Sequence, residues 1–170
     1  MRVVLLRGIS GSGKGHYIDD TFTVGAHVVS ADDFFEKRAA MLGESYKDVF
    51  DPMELPNAHA ACLRKFVELV AGSGDEAPIS AEDLEAHSEK VVVVDNTNCS
   101  IAEMAPYIAL AQAYDPEVEL EIVYLWCDPV TAFKRNQHGT PFNAVLRQFK
   151  SAERTELPPW WPRQNIICSV

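Results

Sequence analysis

Residues 8–15 read Gly-Ile-Ser-Gly-Ser-Gly-Lys-Gly and directly follow the apolar run Arg2–Arg7. No other stretch of the chain narrows its possible folds so far. Glycines at Gly8, Gly11 and Gly13 allow a backbone turn tight enough for successive N–H groups to converge on one point. The run before them, Arg-Val-Val-Leu-Leu-Arg, reads as a short strand buried on both faces. A helix opening near Lys14 adds the positive end of its dipole to those amides. Strand, glycine turn and helix, with G-x4-G-K across the turn, form the arrangement that cradles phosphate. We assign Gly8, Ser10, Gly11, Ser12, Gly13, Lys14, Gly15 and His16 to that cradle, with Lys14 reaching the outer phosphates. A plain turn between strand and helix is the alternative.

One position breaks the pattern. A serine or threonine usually follows the lysine and gives its hydroxyl to Mg²⁺. Here Gly15 stands in that place, with His16 after it. The change removes one metal ligand and leaves the phosphate cradle. Mg²⁺ keeps several waters and takes much of its binding from nucleotide phosphates. Weaker or rearranged metal binding is therefore expected, with Asp32 or Asp95 holding a water in the vacated place.

The rest of the chain alternates between strand and helix signals. Ala26–Ser30 reads as a strand, Phe34–Leu42 as a short helix, and 43–52 as a polar loop. Leu55–Ala71 has helical apolar spacing, with His59 and Cys62 assigned to the core side. Residues 72–90 read as an acidic surface insertion with one helical turn at Glu82–His87. Val91–Val94 is the clearest buried strand. Ser100 and Glu103 have capping-box spacing for a helix to about Tyr114. Val118–Trp126 reads as a strand, and Asp128-Pro129 starts a helix through Asn136. Gln137–Pro141 is a loop, Phe142–Glu153 a helix and Asn165–Cys168 a last strand. Trp160 and Trp161 are expected to pack the tail against the domain. Alternation of this kind argues for an α/β fold of three layers, a central parallel sheet covered by helices on both faces. The length of 170 residues fits one domain, 1–170. In such sheets ligands sit at the carboxyl ends of the strands.

Composition limits the partners. The net charge of −10 counts against broad binding of a nucleic acid backbone, though not against a small basic pocket for one terminal phosphate. No apolar run approaches the roughly 20 residues of a membrane span, and Val3–Leu6 is too short for a signal peptide. A cytoplasmic protein without a membrane partner is expected. The four cysteines form no C-x-x-C pair, so zinc is not expected.

Three further groups fall at strand ends or beside a glycine. Asp32 and Asp33 follow the second strand, where a carboxylate can take the proton of an attacking hydroxyl. Alone they read equally as a turn or a helix cap. Asp95 ends the valine strand as a metal-side carboxylate, with Asn96 and Thr97 beside it. In and just before Phe-Lys-Arg-Asn-Gln-His-Gly-Thr-Pro-Phe (133–142), Thr131, Arg135 and His138 fall at i, i+4 and i+7 of one helical face. Gly139 and Pro141 would let 134–142 hinge as a lid. On this segment alone, a basic helix end complementing the dipole is the better reading.

The stretches GISGSGKG, SADDFF, AHAACLRKF, VVVVDNTN and FKRNQHGTPFNAVLRQF, in this order, resemble the P-loop kinases related to polynucleotide 5′-kinase. The subgroup is the AAA-type ATP-binding one similar to NEDD4-binding protein 2 and its shorter relatives. The resemblance implies an enzyme of P-loop NTPase fold that uses ATP and Mg²⁺. It implies transfer of the γ-phosphoryl group to a hydroxyl, typically the 5′-OH of a nucleic acid. It further implies Lys14 on the phosphates and Asp32 as general base and metal-side group. Asp95 lies near the metal, Arg135 in the lid, and Asp33, Asn96, Thr97 and His138 towards the acceptor. Phage-type members carry an arginine where this chain has Phe35, and a second lid arginine where it has His138. A nucleoside, small-molecule or modified-base kinase, or a nucleotide-binding module without catalysis, are the alternatives.

Overall fold

The computed structural model describes residues 1–22, 25–72 and 90–168. The expected acidic insertion and its helical turn at Glu82–His87 lie outside the described residues. Five strands, β1 (Arg2–Arg7), β2 (Ala26–Val29), β3 (Val91–Asp95), β4 (Glu119–Trp126) and β5 (Gln164–Cys168), form one sheet. Their order is β2-β3-β1-β4-β5, and every pairing is parallel. β1 is central, with Val4 opposite Val93 of β3 and Glu121 of β4.

The described helices are α1 (Lys14–Thr21), α2 (Asp32–Leu42), α3 (Tyr46–Val49), α4 (Leu55–Val70), α5 (Ile101–Tyr114), α6 (Pro129–Arg135) and α7 (Phe142–Arg154). Side chains alternate across β1 with the period of a strand. Val3 and Leu5 pack with Phe35 of α2, Phe66 of α4 and Met104 and Ile108 of α5. Val4 and Leu6 face the other way, against Tyr17 and Ile18 of α1 and Phe22. All four are fully buried, and removing each from water stabilises the fold by about 2 kcal/mol. Further along the first face, Tyr124 joins Ile9, Ala132, Val145 and Ala152, which seats α6 and α7.

The structure corrects several boundaries. Asp32 and Asp33 are not a turn before α2 but its first turn, where carboxylates complement the helix dipole. The expected loop at 43–52 contains α3, because Ser45 and Asp48 form a reciprocal capping box. Arg7, read as a charged strand end, is 2% exposed. Its guanidinium donates to Gln164 Oε1 at 2.5 Å and to the Ala152 carbonyl, and lies 4.8 Å from the Tyr124 ring centroid, so it ties β1 to β5 and α7. Trp161 packs against the core, whereas Trp160 is exposed. Among the described residues no helix is long and apolar enough to cross a membrane.

Candidate functional site: a glycine loop facing an aromatic cleft

The carboxyl ends of β1, β2 and β3 bring the loop at 8–14, Asp32 and Asp95 to one edge of the sheet. The loop turns as its glycines require. Gly11 and Gly13 have φ of +82° and +95°, values that side chains disfavour. A Cβ on Gly11 would lie 2.0 Å from the Ala132 carbonyl oxygen, so the loop can approach α6 only with glycine there. The Gly8 N–H is held by the Thr97 carbonyl at 2.9 Å, and Ser12 N–H by that of Ile9 at 3.0 Å. The Ser10 N–H donates to Gln148 Oε1 of α7 at 2.9 Å. Among the described residues, the N–H groups of Gly11, Gly13, Lys14, Gly15 and His16 meet no acceptor. They sit at a helix start and are open to an anion. Lys14 Nζ folds over the loop, 3.2 Å from the Gly8 carbonyl oxygen. The Ser12 hydroxyl is buried without a partner.

Asp32 lies across from the loop. Tyr46 of α3 donates its hydroxyl to Asp32 Oδ1 at 2.6 Å, and His138 Nε2 stands 4.0 Å from Oδ2. The Tyr46 and His138 rings pack with centroids 4.4 Å apart. Burial and the Asp32 carboxylate both push the Tyr46 phenol up, so it stays a donor. Between loop, α3, α4 and α7 lies a cleft of about 800 Å³. Ser10, Asp32, Tyr46, Phe50, His59 and Arg147 are among its walls. Tyr46 and Phe50 stack at 5.6 Å.

Asp95 ends β3 with Oδ1 buried and unpartnered. Burial raises its pKa, and the nearby Lys14 ammonium opposes that shift. An orphaned carboxylate oxygen, an orphaned serine hydroxyl and an open row of amides suit a nucleotide phosphate with its cation. Ser12, Asp95 and Asp32 are the residues present to hold that cation, directly or through water. Among the described residues no group of three or more His, Cys, Asp or Glu side chains could form an all-protein metal site.

Other expected site residues stand elsewhere. Asp33 points away from the cleft and pairs with Lys65 of α4 at 3.0 Å. Asn96 borders the cleft, but its side chain is committed inward. Its Oδ1 accepts from Ala31 N–H at 2.9 Å and its Nδ2 donates to the Tyr107 hydroxyl at 3.2 Å, so it braces the start of α2. Thr97 lines the cleft and holds the loop through its carbonyl. His16 is turned outward to Asp20, 3.2 Å away. The helical face expected to join Arg135 and His138 does not form. α6 stops at Arg135, because Asn136 turns extended and its side chain binds the Thr140 carbonyl and His138 N–H. Arg135 lies near Cys127, whose thiol burial raises and that arginine lowers, and it is not among the residues that wall the cleft.

Sequence reasoning missed Tyr46, Lys47, Phe50, Arg147 and Gln148, and placed His59 in the core although it is exposed and lines the cleft. The capping pair Ser45 and Asp48 was the available signal for α3. Nothing local marked the others.

Comparison with known proteins gives the fold its relatives. A gluconokinase from Sinorhizobium meliloti 1021 superposes with a TM-score of 0.52 at 17% identity, covering 98% of this chain and 81% of that one. A protein classed as a kinase, from Chloroflexus aurantiacus J-10-fl, superposes with a TM-score of 0.62 at 11% identity, covering 98% and 84%. A sugar kinase from Janibacter sp. HTCC2649 gives 0.50 at 18% identity, covering 99% and 85%. Identities this low carry the fold, that of P-loop kinases, and no more. NEDD4-binding protein 2 of Homo sapiens is 28% identical over 157 residues. That match covers 89% of this chain but only 8% of the relative, so the chain spans a small part of that protein. A family model described as an AAA domain matches residues 3–155, and the chain belongs to that family.

Proposed function

We propose that this chain transfers the γ-phosphoryl group of ATP to a hydroxyl, and that the acceptor is the 5′-hydroxyl of a nucleic acid. One observation carries the reading. The Asp32 carboxylate, oriented by Tyr46, faces a cleft of about 800 Å³ that begins at the glycine loop. Open amides and Lys14 would hold the triphosphate tail, while Asp32 accepts the proton of the attacking hydroxyl. Tyr46 engages Oδ1, so Oδ2 is the oxygen left to take that proton. Mg²⁺, when bound, would offset phosphate charge, and Asp95 and Asp32 would hold it directly or through water.

The acceptor reading rests on the walls of the cleft. Stacked aromatic rings at Tyr46 and Phe50 suit a base. Lys47 and Arg147 bring two cations to the same space. Phe35, at the place of the phage-type arginine, is fully buried and packs against Tyr46 and Phe50. Acceptor phosphate must therefore be gripped by Lys47 and Arg147. The buried Phe35 also favours a second reading, a small polyhydroxy acceptor like those named for the gluconokinase and sugar kinase neighbours.

Labelled ATP offered with 5′-OH oligonucleotides, nucleosides and sugar acids separates them. Transfer to oligonucleotides is expected. Transfer to a sugar acid alone would establish the second reading, and ATP binding with no transfer would leave a binding module. Asp32→Asn should lower turnover at least about 100-fold, the scale of lost general-base catalysis, with ATP affinity kept. Lys14→Ala should lose both.

A further inference from the structure

One face of α7 carries three cations. Arg147, Lys150 and Arg154 fall at i, i+3 and i+7, so they line up along one side of the helix. All three are exposed, and among the described residues none of the three side chains has a hydrogen bond or ion pair. They border a shallow hollow of about 400 Å³ with the hydroxyl-bearing Ser151 and Thr155, and no carboxylate lines it. Those two hydroxyls are drawn inward to the Cys99 carbonyl, at 3.1 and 3.0 Å, which fixes the helix beneath the cations. The opposite side of α7 is buried through Val145 and Ala152. In a chain of net charge −10, an unpaired row of one sign is a local exception that overall charge conceals.

Its position gives it meaning. Arg147 belongs both to this hollow and to the cleft in front of Asp32. The row therefore runs outward from the candidate acceptor site without a break. From Arg147 to Arg154 the helix rises about 10 Å, the length of roughly three phosphates along one stacked strand. A second basic hollow, about 740 Å³ between α2 and α4, is of mixed charge. There Asp33 already holds Lys65, and Glu68 stands beside Arg64 and Lys65 on its wall.

We infer that the Arg147–Lys150–Arg154 row is the track for the sugar–phosphate backbone of a single-stranded nucleic acid whose 5′ end lies in the cleft. This rests on the acceptor reading above and adds the path of the strand beyond its first nucleotide. Arg147 holds the phosphate nearest the cleft, and Lys150 and Arg154 hold those that follow.

The test uses the full chain with Lys150→Glu and Arg154→Glu combined, both outside the cleft. Fluorescence anisotropy measures binding of 5′-OH single strands of two and twelve nucleotides, as DNA and as RNA, across a salt series. The double variant should bind the 12-mers at least tenfold more weakly, with a smaller deficit for the dinucleotide. The slope of log affinity against log salt should shrink by about 1.4, or 0.7 for each of two phosphates. An unchanged thermal shift with ATP shows that the fold and the loop are intact. The inference is overturned if the wild type does not bind the 12-mers, or if the double variant binds within twofold of it. It is equally overturned if Arg38→Glu with Arg64→Glu, in the mixed hollow, produces the loss instead. Binding through the row without phosphoryl transfer upholds the track and overturns the kinase reading. Transfer to the 12-mer with an unchanged KM in the double variant does the reverse.

Discussion

Gly15 stands where a hydroxyl is expected, and the space around it is open. A Cβ added there meets no atom within 4 Å. Gly15→Ser should therefore fold normally and return a ligand to the cation. Turnover at limiting Mg²⁺ should rise up to about tenfold, the scale of one hydrogen bond to a charged group; a magnesium titration of activity checks this. Asp95 makes the opposite point. Burial raises its pKa, so the folded chain holds that proton more tightly than the unfolded chain does. Its favourable contribution is complete below the ordinary carboxylate range and is lost as pH climbs through the raised value. Above that raised value the free protein carries a buried charge whose Oδ1 has no partner. Asp95→Asn should stabilise the nucleotide-free protein by about 1 kcal/mol at pH values above that raised one, and remove the loss of stability that sets in above the ordinary carboxylate range. Denaturant melts at several pH values would show it. Under the proposed reaction the same variant should also lose turnover at limiting Mg²⁺, because it removes a carboxylate that would hold the cation.

Among the elements, α3 and the loop after α6 are least visible in the sequence and most important to the cleft. α3 has four residues, too few for apolar periodicity to register. Its capping pair is the only local sign, yet the helix aims Tyr46 at Asp32. The spacing sets His138 on the helical face of Arg135 although 137–141 reads as a loop, and the side-chain bonds of Asn136 form that loop and part the two residues. His138 consequently reaches Asp32 while Arg135 does not line the cleft. Gly139 lets this loop close on α3. Its φ is +73°, and a Cβ there would sit 2.6 Å from Lys47 Cε. Gly139→Ala should cost about 1–2 kcal/mol of left-handed strain in the closed arrangement. The expected result is an acceptor KM raised about tenfold with ATP affinity unchanged, measured by steady-state kinetics on both substrates. By contrast, α1 and α4 were legible, since a glycine turn opens one and a long apolar stripe marks the other.

For the whole molecule, the sheet was readable because parallel strands buried on both faces leave continuous apolar runs such as Val91–Val94. The glycine loop was readable because its parts are adjacent in the chain. The cleft was not, because Ser10, Tyr46, His59 and Arg147 lie on separate elements and only packing brings them together. Arg7 escaped for the same reason: its partners Gln164 and Ala152 are far along the chain. A ligand that binds only the folded chain stabilises it in proportion to the logarithm of its concentration. ATP at about 100 times its Kd should add about 2.7 kcal/mol. For a chain of this size that is a Tm rise of roughly 5–10 °C, to be read by calorimetry and absent in Lys14→Ala.

The bond from Ser10 N–H to Gln148 Oε1 joins residues 138 positions apart. Neighbouring side chains of α7 thus look in two directions, Gln148 into the glycine turn and Arg147 into the space opposite. One helix thus forms part of the wall of the cleft and also holds the glycine turn, and any coupling free energy between ligands at the two places is the same read from either one.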